Sequence, residues 1–176
     1  MRTEYMLEHE VDMVLAALTP QNRLIMRTAL TTGLRISDVL SLTPDQLKSN
    51  CWVTEKKTGK RRQIGLPEPL LTDLKNQTGK LWVFPGVNPV NHKTRQAVWK
   101  DVKRASRAFR LEANIGPHSA RKVYAVQLLR KYGEIDRVRR ALNHDSETVT
   151  LIYAMADMAL EAKYRRRRPN PGRKKS

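Results

Sequence analysis

The chain has 176 residues, 40% apolar and 29% charged, enough for one domain with its own core. No apolar run approaches the ~20 residues that cross a bilayer, the N-terminus Met1–Glu8 has no signal-like apolar stretch, and the lone Cys51 excludes an internal disulfide. There are 34 Lys and Arg against 17 Asp and Glu, a net charge of +17; even without residues 163–176, which hold eight basic side chains and no acid, 26 basic face 17 acidic side chains, so the body suits a polyanion such as nucleic acid better than a membrane surface.

Residues 5–18 read as a helix, with Leu7, Val11, Val14, Leu15 and Leu18 near one face. Thr19-Pro20 starts a second helix carrying Leu24, Ile25, Thr28, Ala29 and Thr32, and Gly33 supplies a left-handed stop. Residues 34–42 add a short further helical turn, and Thr43-Pro44-Asp45 begins another. Residues 51–57 and 61–66 read as an antiparallel hairpin turning at Thr58-Gly59-Lys60, with one further strand expected nearby. Pro67 opens a helix ending near Gly79, and Leu81 to Phe84 is a strand or an extended segment. Asn91 or Thr94 begins a long helix to about Leu111, with Val98, Val102, Ala105 and Phe109 inward. A helix follows from Ser119 to Lys131, stopped by Gly133, and Ile135, Val138 and Leu142 mark another that ends at Asn143-His144. Asp145 or Ser146 caps a segment holding Tyr153, and residues 155–165 can continue as helix. Arg165 to Ser176, with two Pro and one Gly, reads as a disordered basic tail.

These elements give a mainly helical α+β fold with a small antiparallel sheet. The Trp and Phe side chains are expected in the core, Cys51 as a small buried residue, and His9 and His92 on the surface. There are no repeats, no GxGxxG, no Walker motif and no zinc-ligand spacing.

The most informative stretch runs from His144 to Tyr153, a histidine nine positions before a tyrosine. A tyrosine hydroxyl, with an ordinary pKa of about 10, is a poor nucleophile at neutral pH and needs help. Each candidate helper has a plain alternative. Arg35 suits a surface or capping arginine, His118 a helix cap, and His144 a helix end. Tyr153 beside Ile152 suits a core, and Tyr124, Tyr132 and Tyr164 lie in the same half, none of them nine after a histidine in an L-x-H context.

Four segments taken in order change the balance: Thr32-Gly-Leu-Arg35-Ile-Ser-Asp38, Lys57-Thr-Gly-Lys60, His118-Ser-Ala-Arg121, and Leu142-Asn-His144 followed by Tyr153. Together they resemble the catalytic domain of the tyrosine recombinases, the phage-integrase family, over residues 1–164, with 165–176 as the basic tail. The resemblance implies a helical catalytic domain with its lysine on a small β-hairpin. It implies DNA strand cleavage and rejoining through a 3′-phosphotyrosyl bond on Tyr153, with no cofactor. Arg35 and Arg121 would stabilise charge on the non-bridging oxygens, since two guanidiniums can do this without a metal. Lys57 would be the general acid for the leaving 5′-oxygen, with Lys60 as its rival. His118 would accept or share a proton with Tyr153 or bond the phosphate, and His144 would add a hydrogen bond to it. Asp38, three after Arg35, would orient that guanidinium. Lys56, Lys60, Arg61, Arg62 and the tail's Arg165, Arg166, Arg167 and Arg168 are candidate DNA contacts.

Asn143 stands where the family usually has glycine, and Asn also tolerates the left-handed conformation. Family members usually carry an N-terminal helical domain, so this chain is expected to be an excised catalytic piece or a single-domain member. The implied partners are duplex DNA and further copies of the chain, four on two duplexes. The implied setting is cytoplasmic and nucleoid-associated, in a phage- or mobile-element-encoded protein. Two alternatives use the same basic body: a nicking-closing topoisomerase of type IB, and a DNA-binding regulator that forms no covalent adduct.

Overall fold

Proline, threonine and glycine punctuate the helices as local chemistry requires. In the computed structural model, which describes residues 4–142, α1 spans Glu8–Ala17 and α2 spans Pro20–Thr32. Pro20 opens α2, where a missing N–H is harmless, and Gly33 closes it at φ 65°. A Cβ on Gly33 would also meet the Tyr124 ring at 2.2 Å, so no larger residue fits that close approach. A short helix α3, Ile36–Leu40, follows at once, then a 3₁₀ turn at Pro44–Gln46.

The sheet is a single hairpin among the described residues. Strand β1, Asn50–Thr54, pairs antiparallel with β2, Arg61–Gly65, in a register running from Asn50 opposite Gly65 to Thr54 opposite Arg61. Alternation assigns the faces: Cys51, Val53, Arg62 and Ile64 point inward, while Trp52, Thr54, Arg61 and Gln63 face solvent. The first strand is shorter than expected. The chain leaves it at Glu55, whose N–H donates to Lys60 O at 3.0 Å and whose carbonyl accepts from Gly59 N at 2.8 Å. Lys57 therefore sits in the turn, not in the strand. The expected third strand is not found among the described residues. The segment 81–84 is irregular: Val83 N reaches Leu42 O at 2.9 Å, and Pro85 and His92 form one isolated bridge.

Helix α4 spans Glu68–Gln77, α5 Arg95–Ala108, α6 Pro117–Tyr132 and α7 Ile135–Ala141. Thr94 caps α5, its Oγ1 accepting from Ala97 N at 3.1 Å, and Gly133 ends α6 at φ 68°. Helix α2 packs on α6 and α4, while α1 packs on α5. Their shared core includes Ile25, Met26, Leu40, Leu74, Phe84, Val98, Val102 and Ile115, all fully buried. Truncating Phe84 to Ala in such a core costs about 3–5 kcal/mol. A smaller cluster of Ala125, Val138 and Leu142 seats α7 on α6.

Three aromatic residues depart from expectation. Phe109 is 42% exposed because α5 ends at Ala108 and the inward period stops with Ala105. Trp52 lies on the outer face of β1, and Trp99 is one position beyond the inward Val98 on α5. Phe84 and Cys51 are buried as expected, and His9 is exposed.

Candidate active site

The αL turn at Gly33 delivers Arg35 at the head of α3, in extended backbone (φ −66°, ψ 148°). Its side chain turns inward, and Nη1 pairs with Glu55 Oε2. Glu55 is fully buried at the end of β1 and is the hub of the cluster. Arg62 Nε lies 3.6 Å from its Oε1, Arg121 Nη1 lies 3.9 Å from the same oxygen, and Thr58 Oγ1 donates to Oε2 at 3.3 Å. One carboxylate thus sits beneath three guanidiniums. Asp38 is also buried nearby, so three positive charges meet two negative ones and the cluster stays net cationic.

Arg121, the fifth residue of α6, is fixed by two carbonyls. Nη1 donates to Gly33 O at 2.6 Å and Nη2 donates to Leu142 O. Burial, then the neighbouring Arg35 charge, lowers its pKa to about 10, against the raising effect of Glu55. It remains cationic at neutral pH. Arg62 is lowered by burial too, with Glu55 opposing.

His118 and Arg121 are three residues apart on α6, so they share a face. His118 opens to solvent at the mouth of a cavity of about 660 Å³. Crowding by the surrounding atoms, then the charges of Arg121, Arg35, Arg95 and Lys122, hold its pKa below the ordinary 6.5. The imidazole is therefore neutral at pH 7 and able to accept a proton. Arg35, Lys56 and Lys57 line the same cavity, with Arg95, Gln96 and Trp99 from the first turns of α5. The cavity is open, cationic and bordered by a proton acceptor and two exposed lysines. Such a site suits a phosphodiester.

Residues 4–159 match the phage integrase family. The chain belongs to that family. It is 31% identical over 132 residues to the probable integrase/recombinase YoeC of Bacillus subtilis (strain 168), covering 72% of each chain. It is 30% identical over 166 residues to the tyrosine recombinase XerD of Lacticaseibacillus casei, covering 85% of this chain and 55% of that protein. A solved structure of a lambda integrase (75–356) dimer bound to a COC′ core site superposes with TM-score 0.76 at 18% identity, over 100% of this chain and 64% of that one; this shows the fold. The chain spans about half the length of most of the curated relatives it matches.

In this integrase-family domain the structure brings Arg35, Lys57, His118 and Arg121 together around one cavity and cluster. His144, Tyr153 and Arg165 to Arg168 lie outside the described residues. Two expectations need correction. Asp38 does not meet Arg35: its Oδ1 accepts from Lys56 N at 3.0 Å. The helical i, i+3 rule does not reach Arg35, which precedes α3 in extended backbone, and Glu55 takes the guanidinium instead. Arg62 is not exposed for DNA contact; it is 8% exposed, and Nη2 donates to Thr32 O. Lys56, Lys60 and Arg61 are exposed on the hairpin, Arg61 lying 5.4 Å from the Trp52 ring centroid. Glu55 escaped the sequence reading although the signal was present. Alternation places residues 51, 53 and 55 on one strand face, and with Cys51 and Val53 inward, Glu55 follows.

Proposed function

We propose that this domain is a site-specific DNA recombinase that cleaves and rejoins duplex DNA through Tyr153. The observation that carries the reading is the paired, buried anchoring of Arg35 and Arg121 on Glu55, with Arg35, a neutral His118 and the lysine-bearing turn opening on one cavity. Two guanidiniums so fixed are preorganised for two non-bridging oxygens of one phosphate. Tyr153 Oη attacks phosphorus and its proton passes to His118 or to water held there. The P–O5′ bond breaks, and Lys57 gives its proton to the departing 5′-oxygen. The 3′-phosphotyrosyl ester conserves the bond, so the reverse step rejoins strands without an external energy source. His144 adds a hydrogen bond to the phosphate. Duplex DNA is the substrate, and the active assembly is four copies on two duplexes.

A nicked, end-labelled duplex selected by this protein from random DNA tests the reading. The nick lets the small cleaved strand diffuse away and traps the covalent adduct, which survives denaturant. Wild type should form it and Tyr153→Phe should not. Arg35→Ala should bind the duplex yet cut on the order of 10²–10³ slower. A wild type that binds tightly and never forms an adduct overturns the enzyme reading, and an adduct in Tyr153→Phe removes that tyrosine.

A further inference from the structure

The geometry points to His92 as a positioning residue for the lysine-bearing turn, an imidazole latch that holds Lys56 and, through it, sets the place of Lys57. The inference rests on the reading of Lys57 as the proton donor. Lys56 is gripped at both ends. Its backbone N–H donates to Asp38 Oδ1 at 3.0 Å, and its Nζ lies 3.5 Å from His92 Nε2. Lys57 is the next residue, in a turn that is otherwise exposed.

His92 is presented on a braced segment. Its neighbour Lys93 bonds back to Phe84 O through its N–H at 2.8 Å, and Gly86 N bonds Asn91 O at 2.8 Å. Gln21 of α2 ties the segment down, donating to Pro85 O at 3.2 Å and accepting from Lys93 Nζ at 2.7 Å. The Trp82 ring meets the imidazole edge-on at 5.2 Å and is itself anchored by Nε1 donating to Val90 O at 2.9 Å.

The tautomer follows from these contacts. His92 Nδ1 is 2.8 Å from Lys93 O, and a carbonyl accepts only from an N–H. Nδ1 therefore carries the hydrogen, and Nε2 offers its lone pair to the Lys56 ammonium. The charged groups around the ring are Lys56 from the hairpin and Lys93 on its own segment, the latter engaged with Gln21; Asp38 lies at the far end of Lys56.

Two measurements test this. The first is amide hydrogen exchange at residues 56–60 of the free chain, as protection factors at pH 7.5. Wild type should be protected. His92→Gln keeps an acceptor and should protect these amides about as well as wild type. His92→Phe keeps the ring against Trp82 without an acceptor and should lose protection several-fold. Equal behaviour of all three overturns the latch. The second is adduct formation on the selected nicked duplex, with either an ordinary 5′-oxygen or a bridging 5′-sulfur at the scissile phosphate. A thiolate leaves without a proton, so a displaced Lys57 matters only for oxygen. His92→Phe should slow the oxygen substrate roughly ten-fold and leave the sulfur substrate at the wild-type rate, with unchanged DNA affinity. Equal slowing of both substrates overturns action through Lys57. Failure of wild type on both substrates instead overturns the recombinase reading, while the exchange result still judges the latch.

Discussion

His118 shows how one residue's chemistry is set by its surroundings. It stands among cations, with Arg121, Arg35, Arg95 and Lys122 all disfavouring a further positive charge. Its folded pKa lies below the ordinary value, so the unfolded chain holds more protons just below pH 6.5. The stability it contributes is present above the ordinary histidine pKa and falls away as pH drops towards the folded pKa. An NMR titration of its ring in the free chain should have a midpoint below 6.5. Removing a cation should raise that midpoint, more for Arg35→Gln than for Arg95→Gln, following the order of their influence. A midpoint at or above the ordinary value, or one indifferent to both substitutions, would mean that the cluster does not govern the imidazole. A phosphate bound in the cavity would supply the missing negative charge and raise the basicity of the same ring.

At the level of elements, the hairpin divides its basic residues between two tasks. Arg61 and Arg62 are neighbours in sequence, yet they point to opposite faces of β2. Arg62→Ala removes a buried partner of Glu55 and should destabilise the fold by about 3 kcal/mol, read as a shift in urea midpoint. Arg61→Ala should change stability by under about 0.5 kcal/mol and instead weaken DNA binding, lowering its salt dependence by the equivalent of about one phosphate. Equal effects on stability would contradict the assigned register. The limits on what the sequence discloses are physical. Pro20, Gly33, Thr94 and Gly133 are legible because a cap or an αL residue is dictated by the chain next to it. The strand alternation that places Arg62 and Glu55 inward is also local, but choosing the buried face requires knowing what lies beneath. The Arg35–Glu55 pair joins residues twenty apart, and no periodicity reports it. Asp38 departs from expectation because a helical spacing does not carry across an N-cap, where the backbone is extended.

Taken whole, the molecule gathers Arg35, Lys56, Lys57 and Arg95 along one cavity while spreading many more basic side chains over the rest of its sequence. The net charge of +17 far exceeds what a single phosphate needs, so in the proposed recombinase most of it would bear on affinity and encounter rate rather than on bond breaking. Residues 165–176 hold seven basic side chains: Arg165 to Arg168, Arg173, Lys174 and Lys175. Ending the chain at Tyr164 should therefore alter how binding depends on salt more than how fast bound DNA is cut. Every phosphate that is no longer neutralised reduces the slope of log K against log salt by about 0.9, so the truncation should reduce it by about one to six according to how many of the seven engage. The slope is read from dissociation constants on one duplex across roughly 50 to 200 mM salt. Single-turnover cleavage of fully bound DNA should stay within about two-fold of the full chain, because Arg35, Lys57, His118, Arg121, His144 and Tyr153 are all retained. An unchanged slope would show that the tail touches no phosphate. A large fall in the cleavage rate at saturation would move these arginines from general attraction into the assembly of the active site itself.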